Sequence, residues 1–363
     1  METCLLQRSR LHDARWLVTS WVRGQSFIIS RDWSDEFKLK VDKLLRRQKF
    51  DVIHVLRPNM LQYVPDVTTG CVVLDTENVE AQIVRRTFER NPFSISGLVS
   101  LVESKRLKNY EAAACVRADL VLTVTDEDRS QLLSLAASLR RAGREPWIES
   151  VPIGVDTGYF GYCWHPEPEP RCVFVGTMYW PPNVDSVTHF SRDILPAIRE
   201  QIPGFRFDIV GLKPAKTVVR LAKSVPGVHV SGSVEDVRPF MARSRVFVVP
   251  LRIGSGMRVK ILNAMAVGVP VVTTSVGCEG IRGLIPVKQP ISECDNSNAN
   301  IWIADTAADF CSAVVQLIGD HKLAQTLSKN GRKLMETVYN WSVIRERILE
   351  LYDRIGQYIC SKV

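Results

Sequence analysis

Residues 246–280 read VFVVPLRIGSGMRVKILNAMAVGVPVVTTSVGCEG. The first four are a short apolar run of strand type. A glycine loop follows, Gly254-Ser255-Gly256, with cations at Arg252, Arg258 and Lys260. Val259, Leu262 and Ala266 recur at helical spacing, which predicts a helix over 257–267. Gly268 closes it, because the residue just past a helix end often needs positive φ. Pro270 opens the next strand. The unit is strand, glycine loop, helix, strand.

Such a unit has a defined chemistry. Glycines let backbone amides approach a ligand closely. The first amides of a helix have no internal partner, and the helix dipole adds partial positive charge there. Arg258 and Lys260 add two full charges. Together these groups form a site for a diphosphate. The plainer alternative is a surface loop with solvated cations.

Working outward, strands are expected at 172–175, 206–210, 228–230, 246–249 and 271–273. Helices fall between them, among them 184–202 and 235–244, and glycine or proline marks nearly every junction. A proline-rich stretch, GYCWHPEPEPR at 161–171, separates this half from another alternation. There a helix is expected at 34–48, strands at 51–56 and 71–74, helices at 78–90 and 101–117, a strand at 120–124, a helix at 127–141 and a strand at 148–152. After 280 come a looser stretch to 300, a short segment at 301–304, and helices at 307–318, 321–338 and 341–358. Residues 1–32 show no clear period. They are basic, with Trp16, Trp21 and Trp33 close by. The alternation argues for parallel sheets with helical crossovers.

Composition bounds the class. A chain of 363 residues suggests two domains and buries a substantial core. The formal charge of +8 suits nucleic acid, an anionic membrane surface or phosphorylated substrates. Nucleic acid ranks last, since no motif or basic tract supports it. Nine cysteines are scattered without a C-x-x-C pair, so buried thiols are expected rather than a disulfide framework or zinc site. The first residues lack the apolar core of a signal peptide, and no run of about 18 apolar residues occurs. The expected location is the cytoplasm, with room for a peripheral contact on the inner membrane face.

VPLRIGSGMRVKILNAMAVGVPVVTTSVGCEGI resembles the nucleotide-sugar signature of glycosyltransferase family 4, the "glycosyl transferases group 1" domain of GT-B enzymes. The similarity extends to PIGVDTGYF at 152–160 and FVGTMYWPPNVDSV at 174–187. Within that family the chain most resembles the bacterial exopolysaccharide-type sugar transferases. The resemblance implies an α/β GT-B fold of two doubly wound Rossmann-like domains with a donor cleft between them. Residues 1–160 would form the acceptor-side domain, 161–338 the nucleotide-sugar domain, and 339–363 a helix crossing back to the first. Relatives open with a strand–glycine-loop–helix unit for which residues 1–50 have no counterpart, so the first domain is expected to be shortened or the chain truncated.

Residue by residue, the resemblance makes Arg258 and Lys260 the cations that neutralise the departing nucleoside diphosphate. Arg252, Gly254, Ser255, Gly256 and Met257 would line the same loop. Gly176 would let the diphosphate approach, or be a plain turn glycine; Asn183, in the same loop, would bind there or cap the following helix. Gly211 and Val234 fall where relatives hold the base. Glu279 and Gly280 fall in the loop facing the sugar, with a solvated carboxylate as the other reading of Glu279. Asn263 departs from the pattern: relatives carry a glutamate that hydrogen-bonds the donor ribose, and here ILNAMA offers only a neutral acceptor. In LDTENVEAQ at 74–82, Glu77 occupies the place of an active-site histidine, and it either meets a sugar or caps a helix. His54 is expected to be a core histidine.

The expected function is a retaining glycosyltransferase of the hexosyltransferase type. It would move a sugar from a UDP- or GDP-linked donor to a saccharide or lipid-linked acceptor in cell-surface or exopolysaccharide assembly. No cofactor and no metal are expected, since Arg258 with Lys260 can take a cation's role. Asn263, Glu77 and the missing first unit support a rival, a degenerate nucleotide-sugar binder without turnover. A GT-B epimerase or phosphorylase, and a Rossmann dehydrogenase, find less support, since neither a lysine-bound cofactor motif nor an early G-x-G-x-x-G occurs.

Overall fold

The structure is a computed structural model and describes residues 9–90, 92–139, 145–165, 169–254 and 256–362. The chain divides into two compact units, Met1–Pro152 with Arg347–Val363, and Ile153–Glu346. The division falls eight residues before the expected one at 160/161. Hydrogen bonds explain it: Val155 donates to the Tyr339 carbonyl, and Arg332 donates to the carbonyls of Thr157 and Phe160. Residues 153–160 are therefore tied into the second unit. The last helix, Trp341–Lys362, is likewise shared between the two units, the change falling at Glu346/Arg347 rather than at 338/339.

The first unit holds four parallel strands in chain order, β1 (Val52–Leu56), β2 (Cys71–Thr76), β3 (Leu120–Thr123) and β4 (Ile148–Ser150). Its sheet winds in one direction only, so the reversal expected of a doubly wound sheet does not occur within it. Val55, Leu74, Val121 and Ile148 meet Leu107, Ala114, Cys115 and Leu132 of the covering helices in one core. The unreadable opening is helical, Arg10–Val22 and Phe27–Ser30, followed by Asp35–Arg47 with Ser34 as its N-cap. His54 is exposed on edge strand β1, against the Tyr352 hydroxyl and 3.5 Å from Asp75, and is not a core residue.

The second unit holds six parallel strands: β5 (Glu169–Val175), β6 (Arg206–Val210), β7 (Val228–Gly232), β8 (Ser244–Val249), β9 (Val271–Thr273) and β10 (Trp302–Ile303). Their order across the sheet is β10-β9-β8-β5-β6-β7. Counted within the unit this is 6-5-4-1-2-3, the doubly wound order of dinucleotide-binding sheets. β8 is buried along its whole length, as a central parallel strand must be. Val246 and Val248 join Phe174, Phe190, Phe207 and Phe310 in the main core.

The helix expected over 184–202 is three segments: Pro181–His189, a π turn at Phe190–Ile194, and Leu195–Gln201. Pro196 explains the break, because its ring has no N–H to give to a carbonyl one turn back and widens the ladder there. The helix expected over 235–244 is shorter, Arg238–Ala242.

Candidate functional site

In a doubly wound sheet the connections leaving the two central strands run to opposite faces, and a crevice opens between them at the carboxyl ends. Here those strands are β5 and β8. The loop after β5 carries Gly176 and enters the helix Pro181–His189. The loop after β8 carries residues 250–258 and enters the helix Val259–Val267.

That second helix begins two residues later than its apolar spacing suggests. Gly256 has φ 75°, a left-handed turn that suits glycine. Arg258 then takes φ −94° and ψ 86°, outside helical values, and is the N-cap without a capping side chain. Met257 and Arg258 therefore precede the helix, and among the described residues no side chain at the N-cap takes up its first amides. Gly268 ends the helix at φ 90°, donating to the carbonyls of Ala264 and Met265, as expected.

Lys260 is the centre of the site. Its Nζ donates to Asn183 Oδ1 at 2.9 Å and lies 4.0 Å from the centroid of the Phe174 ring. Asn183 in turn donates from Nδ2 to the Thr177 carbonyl at 3.0 Å. Asn183 sits inside the helix and is buried; Trp180 is the N-cap, so the capping role is not the one it plays. Burial, and secondly the charge of Arg258, push the Lys260 pKa down to about 7. An ammonium held this way gains much from an anion beside it.

Gly176 is more than a turn residue. A Cβ there would lie 2.8 Å from Lys260 Nζ and 2.9 Å from Asn183 Nδ2, closer than any real side chain comes. Gly211 follows β6, and a Cβ there would collide with the Gly176 carbonyl oxygen. Arg258 donates from Nη1 to the Gly256 carbonyl at 3.0 Å, and its guanidinium fills the space a side chain at Gly254 would need.

Other expected residues fall on the same edge of the sheet. Val234 follows β7, and Glu279 and Gly280 lie in the turn after β9, where Gly280 has φ 81°. Asn263, on the helix Val259–Val267, shares a face with Lys260 at three-residue spacing. Its side chain is half-buried. Ser255 lies outside the described residues.

Two expectations change. Arg252 makes a two-pronged ion pair with Asp185, Nε–Oδ2 3.0 Å and Nη2–Oδ1 2.7 Å, so its charge is already met by a carboxylate. Glu77 belongs to the first unit, at the end of β2, and pairs with Arg57 at 3.3 Å. The first two amides of the helix Glu80–Arg90 donate not to Glu77 but to the buried Glu111, from Glu80 at 2.7 Å and from Ala81 at 3.4 Å.

Phe174, Asp185 and Glu111 escaped the sequence reading. Phe174 looks like any strand residue. Asp185 lies inside the stretch FVGTMYWPPNVDSV, but the resemblance gives it no role and its spacing from Arg252 gives no sign of the pair. Glu111 carried one signal, a carboxylate on the apolar face of a helix with Leu107, Ala114 and Cys115.

Residues 169–320 match the family described as Glycosyl transferases group 1. A curated protein of Klebsiella pneumoniae, "Uncharacterized 44.6 kDa protein in cps region", is 25% identical over 115 residues, which span 30% of this chain and 30% of that protein. The match thus covers under a third of that relative's length. Sucrose-phosphate synthase from Thermosynechococcus elongatus has a similar structure, with a TM-score of 0.63 and 17% identity over 89% of this chain and 78% of that one. Anabaena Alr3699/HepE in complex with UDP gives a TM-score of 0.60 and 14% identity over 86% and 82%. Among the described residues no helix is long and apolar enough to cross a membrane.

Proposed function

We propose that this chain, a member of the glycosyl transferases group 1 with the GT-B fold, transfers a sugar from a nucleoside-diphosphate donor to a saccharide or lipid-linked acceptor. The observation that carries the reading is Lys260. Its ammonium is held by Asn183 and the Phe174 ring at the switch point of a doubly wound sheet, beside Arg258 and an uncapped helix start.

In the proposed reaction the bond between the anomeric carbon and the diphosphate oxygen breaks, and its electron pair leaves with the diphosphate. The acceptor hydroxyl forms the new bond to that carbon and releases one proton. The groups that gain most in the transition state are those facing the leaving oxygens. Lys260, Arg258 and the amides before Ile261 meet that need. UDP in the Anabaena structure supports a uridine donor, and the cps region named for the Klebsiella protein supports a setting in surface polysaccharide assembly. Retention of anomeric configuration is carried by the family resemblance.

Asn263 favours a second reading, a binder without turnover, because a neutral amide stands on the face where relatives place a carboxylate. The two readings separate in one assay. The protein is incubated with UDP- and GDP-linked hexoses and a pool of saccharide acceptors, and free nucleoside diphosphate and product are followed by NMR. Transfer with the donor's anomeric configuration kept supports the enzyme; bound donor that stays intact supports the binder.

A further inference from the structure

The first unit contains a cavity of about 630 Å³ among the helices Arg10–Val22, Phe27–Ser30 and Ile95–Arg117 and the 3-10 turn Pro58–Tyr63. That volume is in the range of small-molecule sites. Its lining combines three kinds of group. Arg15, Arg23 and Arg106 supply positive charge, Trp16 and Trp33 supply indole faces, and Gln62 and Asn109 stand among the neutral amides.

The charge is unbalanced. None of the three arginines forms an ion pair among the described residues, and the one carboxylate in the wall, Asp35, accepts the Trp33 Nε1–H at 2.9 Å. Arg106 Nη1 is buried without an acceptor, and its guanidinium lies 5.3 Å from the Trp21 ring. A buried guanidinium N–H with no partner points to an anion or water that belongs there. Gln62 donates to the carbonyls of Ile29 and Asn59, which fixes its amide and leaves its oxygen as an acceptor. Trp33 is held by stacking on Tyr63, with ring centroids 5.2 Å apart and planes at 11°. Rigid indole faces beside fixed amides suit a sugar ring; unpaired guanidiniums suit a carboxylate or phosphate on it.

We propose that this cavity binds an anionic saccharide, a sugar ring bearing a carboxylate or a phosphate. Its place as an acceptor rests on the transferase reading above; the binding itself does not. The test is calorimetric titration of the full chain with glucuronic acid, glucose 6-phosphate and glucose. The proposal expects 1:1 binding of at least one of the charged sugars and at least tenfold weaker binding of glucose. The charged sugar that binds more tightly tells the carboxylate source from the phosphate source.

Arg106→Gln and, on the exposed turn, Arg23→Gln are each expected to weaken the charged sugar at least fivefold. UDP affinity, measured in the same variants, is expected to stay unchanged and to report an intact second unit. Glucose and its charged relatives binding alike, binding of none of them, or charged-sugar affinity untouched by both variants would overturn the proposal. Loss of UDP binding in the wild type with charged-sugar binding kept would overturn the transferase reading and leave this one standing.

Discussion

At Lys260 the chemistry turns on one proton. Above about pH 7 the amine is mostly neutral, because burial and Arg258 have lowered its pKa from 10.5. A diphosphate beside it favours the charged form, so binding takes up a proton. UDP affinity should therefore strengthen as pH falls from 9 to 7, and Lys260→Met should remove that slope. Titration across this range, with equal slopes in both proteins, would count against the assignment. The folding linkage has the opposite sense: a lysine with a depressed pKa contributes stability that is present above about 10.5 and is lost progressively as pH falls from there to about 7. Asn263 gives a second expectation. A carboxylate there would accept a charge-assisted hydrogen bond from the ribose, worth about 1 kcal/mol more than a neutral one, or about fivefold in affinity. Asn263→Glu should tighten UDP by that factor in a calorimeter; equal or weaker binding refutes it. Much of this was legible beforehand. Arg258, Lys260 and Gly176 announce themselves by glycine spacing and charge. Phe174 under the ammonium and Asp185 against Arg252 do not, because their roles exist only once β5 and β8 lie side by side.

At the scale of elements, the loop after β9 that carries Glu279 and Gly280 is pinned from a distance. The fully buried Tyr339 accepts from the Arg282 amide at 2.7 Å and donates to the Arg282 carbonyl at 3.2 Å. Tyr339 sits in a π turn, Met335–Tyr339, that turns its ring inward. Tyr339→Phe would leave that amide without its partner at a cost of about 1–3 kcal/mol. Urea unfolding should show a lower midpoint with an unchanged slope; an unchanged midpoint would mean the loop is held by other contacts. Neither π turn could be read from periodicity, since a widened turn keeps apolar residues facing the core. The late start of the helix Val259–Val267 was hidden for a related reason. Met257 is buried and fits the apolar stripe, yet Gly256 and Arg258 hold non-helical backbone on either side of it.

For the whole molecule, two sheets with separate cores imply two separable responses to ligand. UDP held by the second unit should stabilise that unit alone, by about 2.7 kcal/mol at a hundred times its Kd. Hydrogen exchange read by mass spectrometry should then show added protection in β5, β8 and the helix Val259–Val267, with peptides of β1–β4 unchanged. Uniform protection, or none, would contradict this. The alternation of strands and helices made both sheets legible in the chain. The strand order was not legible, because every crossover reads alike whichever face it covers. The winding of the first sheet in one direction was hidden for the same reason. Residues 10–30 gave least warning: their helices bury few apolar residues, so no stripe marks them.

The most direct test is calorimetric titration of UDP into the wild type and Lys260→Met at pH 7. The account predicts one site in the wild type and at least tenfold weaker binding in the variant, a loss of about 1.4 kcal/mol. Equal affinity in the two proteins, or no binding to the wild type at millimolar UDP, would contradict it.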